Sequence, residues 1–259
     1  HSTSVSFASQ YHADAYYLFR SLCKLSSKEL QADIIDESST TKPVRLFNNL
    51  TPTDPTELNS KILSLELILA AMDYCGEAFM SSKFLYLVQH YLCVSLLRNC
   101  VSNHTQVAFL SQKIFLVLVY KFKGHLKQDI EVFMSNVFFR VLESQNSSFK
   151  QKALVLESLR SLCRDPVLLT QIFLNYDCDF DGMNLYKDIV HMLTKLGGKA
   201  TSTPNHVKRE AEQEFELSLA AMECLVTILR AFLKALGLPA GVDTESNAES
   251  AGARIRGML

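Results

Sequence analysis

The carboxylates of Asp177-Cys178-Asp179-Phe180-Asp181-Gly182 are the side chains best spaced to do chemistry. Acidic groups at positions one, three and five, then a glycine, open the loop that holds calcium in an EF-hand. Downstream the match decays. Position twelve of a 177–188 loop falls on Asp188, shorter than the usual bidentate glutamate. Positions eight and nine fall on Asn184 and Leu185, and no second loop is present to pair with it. A calcium-binding helical protein is therefore one reading. The other is helix punctuation: Asp179 or Asp181 caps the next helix, worth ~1 kcal/mol, and Asn175 closes the helix before. Either way, Leu174-Asn175-Tyr176-Asp177-Cys178-Asp179-Phe180 is a polar knot between apolar helical runs. Each of its polar groups needs a partner or water, because burial without one costs roughly 1–3 kcal/mol.

Other candidates carry less. His90 and Cys93 stand close together on one helix, but no second pair at metal spacing completes a zinc site, so a core or boundary role is expected. Nothing resembles a nucleophile elbow, and Leu196-Gly197-Gly198-Lys199 lacks both the full phosphate-loop pattern and a preceding strand. No catalytic residue, metal or cofactor is expected. Lys121, Lys123, His125 and Lys127 form a small basic cluster around a loop; it suits a solvated loop, or contact with an acidic partner or an anionic membrane surface.

The elements that must position these residues are helices. The chain has 259 residues, 48% of them apolar, with only 9 glycines and 6 prolines, most of them between apolar runs. Apolar residues recur at steps of three and four along about nine segments, with no alternating strand pattern. The segments run from about 12–25, 55–75, 82–99, 104–122, 126–142, 149–163, 166–175, 184–196 and 208–236. Asp54-Pro55 and Asp165-Pro166 read as starts. A helix pair recurring at roughly 40 residues matches the armadillo and HEAT period, so an all-α, armadillo/HEAT-like helical solenoid is expected. The domain reading is a disordered tail over 1–10, one helical domain over 11–236 and a flexible linker over 237–259. Loops at 26–57, anchored by Leu46 and Phe47, and at 197–207 interrupt the domain.

Charge and cysteine usage exclude several classes. The net charge of −1 offers no basic excess for nucleic acid. Seven cysteines, odd in number and without a Cys-x-x-Cys pair, suit free thiols in helices rather than a disulfide framework. Asn103-His104-Thr105 and Asn146-Ser147-Ser148 are read as chance matches to the glycosylation pattern. No leader segment is read at the N-terminus, and the longest apolar run, Ile114 to Tyr120, is too short to span a bilayer.

At Asn175-Tyr176-Asp177-Cys178-Asp179 the sequence resembles the signature box of the HUS domain, the homology region upstream of the Sec-seven domain. That domain occurs in the large Arf guanine-nucleotide exchange factors of the Golgi. Further segments are similar to the brefeldin-A-inhibited, trans-Golgi subclass. They are Asp14-Ala15-Tyr16-Tyr17-Leu18-Phe19-Arg20, Asn59-Ser60-Lys61-Ile62-Leu63-Ser64-Leu65, His90-Tyr91-Leu92-Cys93-Val94-Ser95-Leu96 and His125-Leu126-Lys127-Gln128-Asp129-Ile130. The resemblance runs from about Tyr11 to Leu196. It implies an armadillo-like regulatory array between an N-terminal dimerisation domain and a catalytic exchange domain. The exchange domain's Phe-Arg-Leu-Pro-Gly-Glu motif has no counterpart here. Asn175 to Asp179 would then contact the dimerisation domain, with Asp177 and Asp179 bracing a corner that displays Tyr176 or adjacent apolar surface. Implied partners are those two domains, Arf/Arl-type small GTPases, and a peripheral contact with Golgi membrane. The implied location is cytoplasmic, at Golgi and trans-Golgi-network membranes. An unrelated HEAT-type coat or adaptor scaffold is the remaining alternative.

Overall fold

A computed structural model describes residues 7, 9–30, 55–180, 182–198 and 208–237. Among the described residues the chain is all-helical, with nine helices and no strand. In chain order they are α1 (Gln10–Ser26), α2 (Pro55–Asp73), α3 (82–99), α4 (Thr105–Phe122), α5 (127–143), α6 (Phe149–Cys163), α7 (166–177), α8 (Leu185–Gly197) and α9 (Lys208–Ala235). Leu46, Phe47, the Asp54 cap, Asp181, residues 199–207 and the tail beyond Gly237 lie outside the described residues. Phe7, placed by sequence in the tail, has its ring 5.2 Å from that of Tyr16 and 4.4 Å from the Lys83 ammonium.

Helix starts obey local chemistry. The Ser9 hydroxyl accepts from the His12 N–H at 3.3 Å to open α1. Asp165 accepts from the Val167 N–H at 2.9 Å and the Leu168 N–H at 3.3 Å, with Pro166 at the first position of α7. Three helices loosen into π turns: α3 over Val88–Cys93, α5 over Met134–Phe139, and α7 over Phe173–Asp177. Each π turn inserts a residue into the helical count and rotates the side chains beyond it around the axis.

The chain divides into two compact units, with the boundary inside α6 between Ser158 and Leu159. In unit 1, α2 is covered by α1 and by α4, and α3 packs on both α1 and α4. Leu65, Ile68 and Met72 of α2 are fully buried, as a helix between two neighbours requires. A polar relay crosses the α1–α3 contact. The Asn99 amide donates to the Ser95 hydroxyl at 3.1 Å and to the Ser26 carbonyl at 3.0 Å. The Ser95 and Ser26 hydroxyls lie 2.8 Å apart, and Ser26 donates onward to the Cys23 carbonyl at 2.9 Å. Every donor in the relay has an acceptor, so these buried groups fix the helix register without an unsatisfied charge or amide. Three rings join α4 to α5: Phe115 stacks on Phe133 at 3.7 Å, and Phe138 meets both edge-on at 5.4 and 5.7 Å.

In unit 2, α8 and α9 pack along their lengths, and α7 touches both. The buried face of α9 is not its large-residue stripe. Ser218, Ala221, Cys224, Ile228 and Ala231 face inward, whereas Phe215, Met222 and Leu229 are 60%, 50% and 64% exposed. The C-terminal end of α8 comes close to α9. The Ser218 hydroxyl donates to the Gly197 carbonyl at 2.7 Å. A Cβ on Gly197 would meet the Met222 sulfur at 2.8 Å.

Candidate functional site

The knot lies in unit 2, where α7 hands over to α8. The sequence places the end of α7 at Asn175; the structure carries it two residues further, through the π turn Phe173–Asp177. The Cys178 N–H donates to the Phe173 carbonyl at 3.1 Å, the wide-turn bond that closes it. The extra residues carry Tyr176 round to the buried side, 4% exposed, so Tyr176 is not the displayed group. The adjacent apolar surface is: Phe180 is fully exposed, Leu174 is 58% exposed, and Phe173 is on the open side. Asn175, Cys178 and Asp179 are exposed as well.

Asp177 caps α8. Its Oδ2 accepts from the Tyr186 N–H at 2.8 Å and its Oδ1 from the Lys187 N–H at 2.9 Å. These are the second and third amides of α8, which have no carbonyl partner inside the helix. Asn184, the residue preceding α8, makes no side-chain cap bond. The cap therefore arrives from the end of the previous helix, nine and ten residues back in sequence. The negative charge also sits at the positive end of the α8 dipole. One carboxylate thus joins two helices rigidly at their corner.

The corner is drawn tight by backbone. The Asp179 N–H donates to the Tyr176 carbonyl at 3.3 Å, and the Gly182 N–H to the Asp179 carbonyl at 3.2 Å. A Cβ on Gly182 would stand 3.0 Å from the Tyr176 carbonyl oxygen and 3.3 Å from the Asp179 Cβ. Glycine is what lets the chain pass so near. On the α8 side, the Tyr186 ring bridges the Phe173 ring at 5.9 Å and the Phe232 ring of α9 at 5.6 Å. Burial, with Cys163 and the Asp177 carboxylate nearby, pushes the Tyr186 phenol up. It stays neutral, as a packing ring must.

This geometry reassigns the EF-hand-like motif. The first would-be calcium ligand, Asp177, points both oxygens at backbone amides. Among the described residues no group of three or more His, Cys, Asp or Glu gathers at metal distance. His90 and Cys93 diverge: His90 is exposed with its ring 4.3 Å from that of Tyr86, and Cys93 is buried. The described cysteines are free, and burial pushes the Cys23 and Cys163 thiols up to about 12. Only Cys178 among them is exposed.

In unit 1 the basic cluster is tied to helix ends. The Lys121 ammonium donates to the Met72 carbonyl at 3.0 Å and to the Asp73 carbonyl, closing α2 from α4. A cation at a helix C-terminus also satisfies the dipole. Lys123 donates to the Tyr120 carbonyl at 3.2 Å, and Lys127 begins α5. Sequence reading missed this role for Lys121, because its carbonyl partners lie 48 and 49 residues away. Lys121→Met keeps the stem but drops the donor. It is expected to cost about 1 kcal/mol, lowering the melting temperature by about 2–4 °C in a thermal scan.

The fold and the knot together define a helical-array protein whose acidic motif organises a helix corner. The chain belongs to the Mon2/Sec7/BIG1-like HUS-domain family, whose sequence model matches residues 11–185, the whole knot included. It is 36% identical over 236 residues to brefeldin A-inhibited guanine nucleotide-exchange protein 1 of Rattus norvegicus, covering 90% of this chain and 12% of that protein. The same figures hold for the Homo sapiens protein of that name. Brefeldin A-inhibited guanine nucleotide-exchange protein 3 of Arabidopsis thaliana is likewise 36% identical over 236 residues, 88% of this chain and 12% of its own length. The chain thus spans about one-eighth of the curated relatives it matches. Among the described residues no helix is long and apolar enough to cross a membrane.

Proposed function

We propose that this chain is the non-catalytic regulatory region of a large Arf guanine-nucleotide exchange factor acting in Golgi vesicle trafficking. In this reading the Asn175–Asp179 knot docks the upstream dimerisation domain of the same polypeptide. The observation that carries it is the fully exposed Phe180 beside Leu174, held on a corner that Asp177 fixes by two hydrogen bonds. A large ring in water on a rigid mount suits an anchor entering a partner's pocket. Asn175 and Asp179, exposed around it, supply a polar rim. Family membership and the named exchange-protein relatives support the parent's class.

Docking there couples the array to the dimerisation domain and, through the parent, to the exchange domain. It thereby bears on autoinhibition and on recruitment by Arf/Arl-type GTPases. The parent works in the cytoplasm, peripherally on Golgi and trans-Golgi-network membranes. Lys121, Lys123 and Lys127 are the candidate contacts with an anionic surface, Lys121 also holding the end of α2.

Phe180→Asp tests the docking. The variant keeps Asp177 and alters only an exposed side chain, so it folds normally. Titrating it with the isolated dimerisation domain in a calorimeter is expected to show affinity weakened by about tenfold or more. An affinity equal to that of the unchanged chain contradicts the proposal.

A further inference from the structure

α9 has an apolar face that stays largely uncovered among the described residues. Phe215, Leu219, Met222, Val226, Leu229 and Leu233 succeed one another at steps of four, three, four, three and four. The first five are between 44% and 64% exposed, and Leu233 is half-buried. Alternating steps of four and three are the spacing of the two seam positions in a coiled-coil heptad. The inward face, Ser218, Ala221, Cys224, Ile228 and Ala231, lies well over a right angle away around the helix. A second helix could lie along the seam without displacing α8.

We propose that this seam pairs with the α9 seam of a second copy of the chain, antiparallel, about a two-fold axis near the Met222–Val226 step. Self-complementarity favours this occupant. In that register the seam matches itself at every level. Phe215 meets Leu233 of the other copy, Leu219 meets Leu229, and Met222 meets Val226, each contact occurring twice. Charge selects the direction. Beside the seam, on its exposed flank, stand Glu216, Glu223 and Arg230. Antiparallel pairing sets that flank against itself, bringing Glu216 opposite Arg230 of the other copy, twice. Glu223, which would fall opposite its own copy at the axis, is neutralised within the chain by Arg160 at 3.0 Å. Parallel pairing would set those charges against Ser218, Leu225 and Phe232, which offer no charge at all. This inference is independent of the docking proposed for the knot, since the two use different elements.

Sedimentation equilibrium on the 259-residue chain reads the result directly. The expected mass at micromolar concentration is twice 29.2 kDa. Leu219→Glu with Leu229→Glu is expected to return the mass to 29.2 kDa, with far-UV helicity unchanged because both positions are on the surface. Arg230→Glu alone is expected to weaken pairing by about tenfold, the scale of a lost charge pair set against a like charge. Adding Glu216→Arg is expected to restore it, which a parallel arrangement would not do. A chain that stays monomeric overturns the proposal, as does a dimer that survives the seam variant. A monomer that instead captures an added amphipathic apolar peptide also overturns it, assigning the seam to a different protein. Failure of the charge swap to restore pairing overturns the antiparallel register.

Discussion

Phe138→Ala is expected to destabilise unit 1 by about 3–5 kcal/mol. Phe138 is fully buried, at the apex of the triad with Phe115 and Phe133. Removing the ring forfeits its transfer free energy. It also leaves a cavity that the stacked pair, fixed at 3.7 Å, cannot collapse to fill. The edge-on contacts add to the loss, at about 0.5–1.5 kcal/mol per pair. Phe138 also lies in the π turn Met134–Phe139, where the wide winding directs it toward α4. Differential scanning calorimetry is expected to show a unit 1 transition lowered on the order of 10 °C. Phe138→Leu should recover most of that, since most of the volume returns. A shift of only a degree or two for the alanine variant would mean that the triad does not carry the α4–α5 contact.

Asp177→Ala is the second large effect, and it bears on both stability and docking. The variant loses two charge-assisted bonds to the first turn of α8 and the favourable interaction with its dipole. Asn184 provides no replacement cap. The expected loss is about 2 kcal/mol, the upper end for a cap. It falls on unit 2, in whose transition it should be read. Asp177→Asn keeps one acceptor and the shape, and should lose about 1 kcal/mol. Because Phe180 is mounted on the same corner, Asp177→Ala should also weaken docking. If Asp177→Ala unfolds no more readily than the parent chain, the corner is held by something other than this cap.

The helices are legible in the sequence because their signals are local and periodic. Pro55 and Asp165-Pro166 start α2 and α7 as expected, and α3 and α6 keep their expected limits. A period cannot encode the rest. A π turn adds one residue without changing composition, so periodicity ends α7 at Asn175 and leaves Tyr176 outside. The two extra residues put it in the core. Sequence spacing points to Asp179 or Asp181 as the cap, because a cap ordinarily sits two or three residues before the amide it binds. The bend after α7 brings Asp177 there from much further back. On α9 the large residues look like the core stripe. Small residues of α9 face the core instead, and the large stripe stays mostly outside, with Met222 reaching back to Gly197 of α8. Lys121 looks like a surface charge because its carbonyl partners belong to a helix far away in sequence. In each case the residue types are visible and the geometry that decides between their roles is not.

Hydrogen–deuterium exchange of the chain, alone and with the dimerisation domain bound, tests the central claim most directly. The Tyr186 and Lys187 amides should already be slow in the free chain, because Asp177 holds both. On binding, protection should rise over residues 173–180, where Leu174 and Phe180 are exposed in the free chain. A protected footprint elsewhere, with residues 173–180 exchanging as before, would contradict the account.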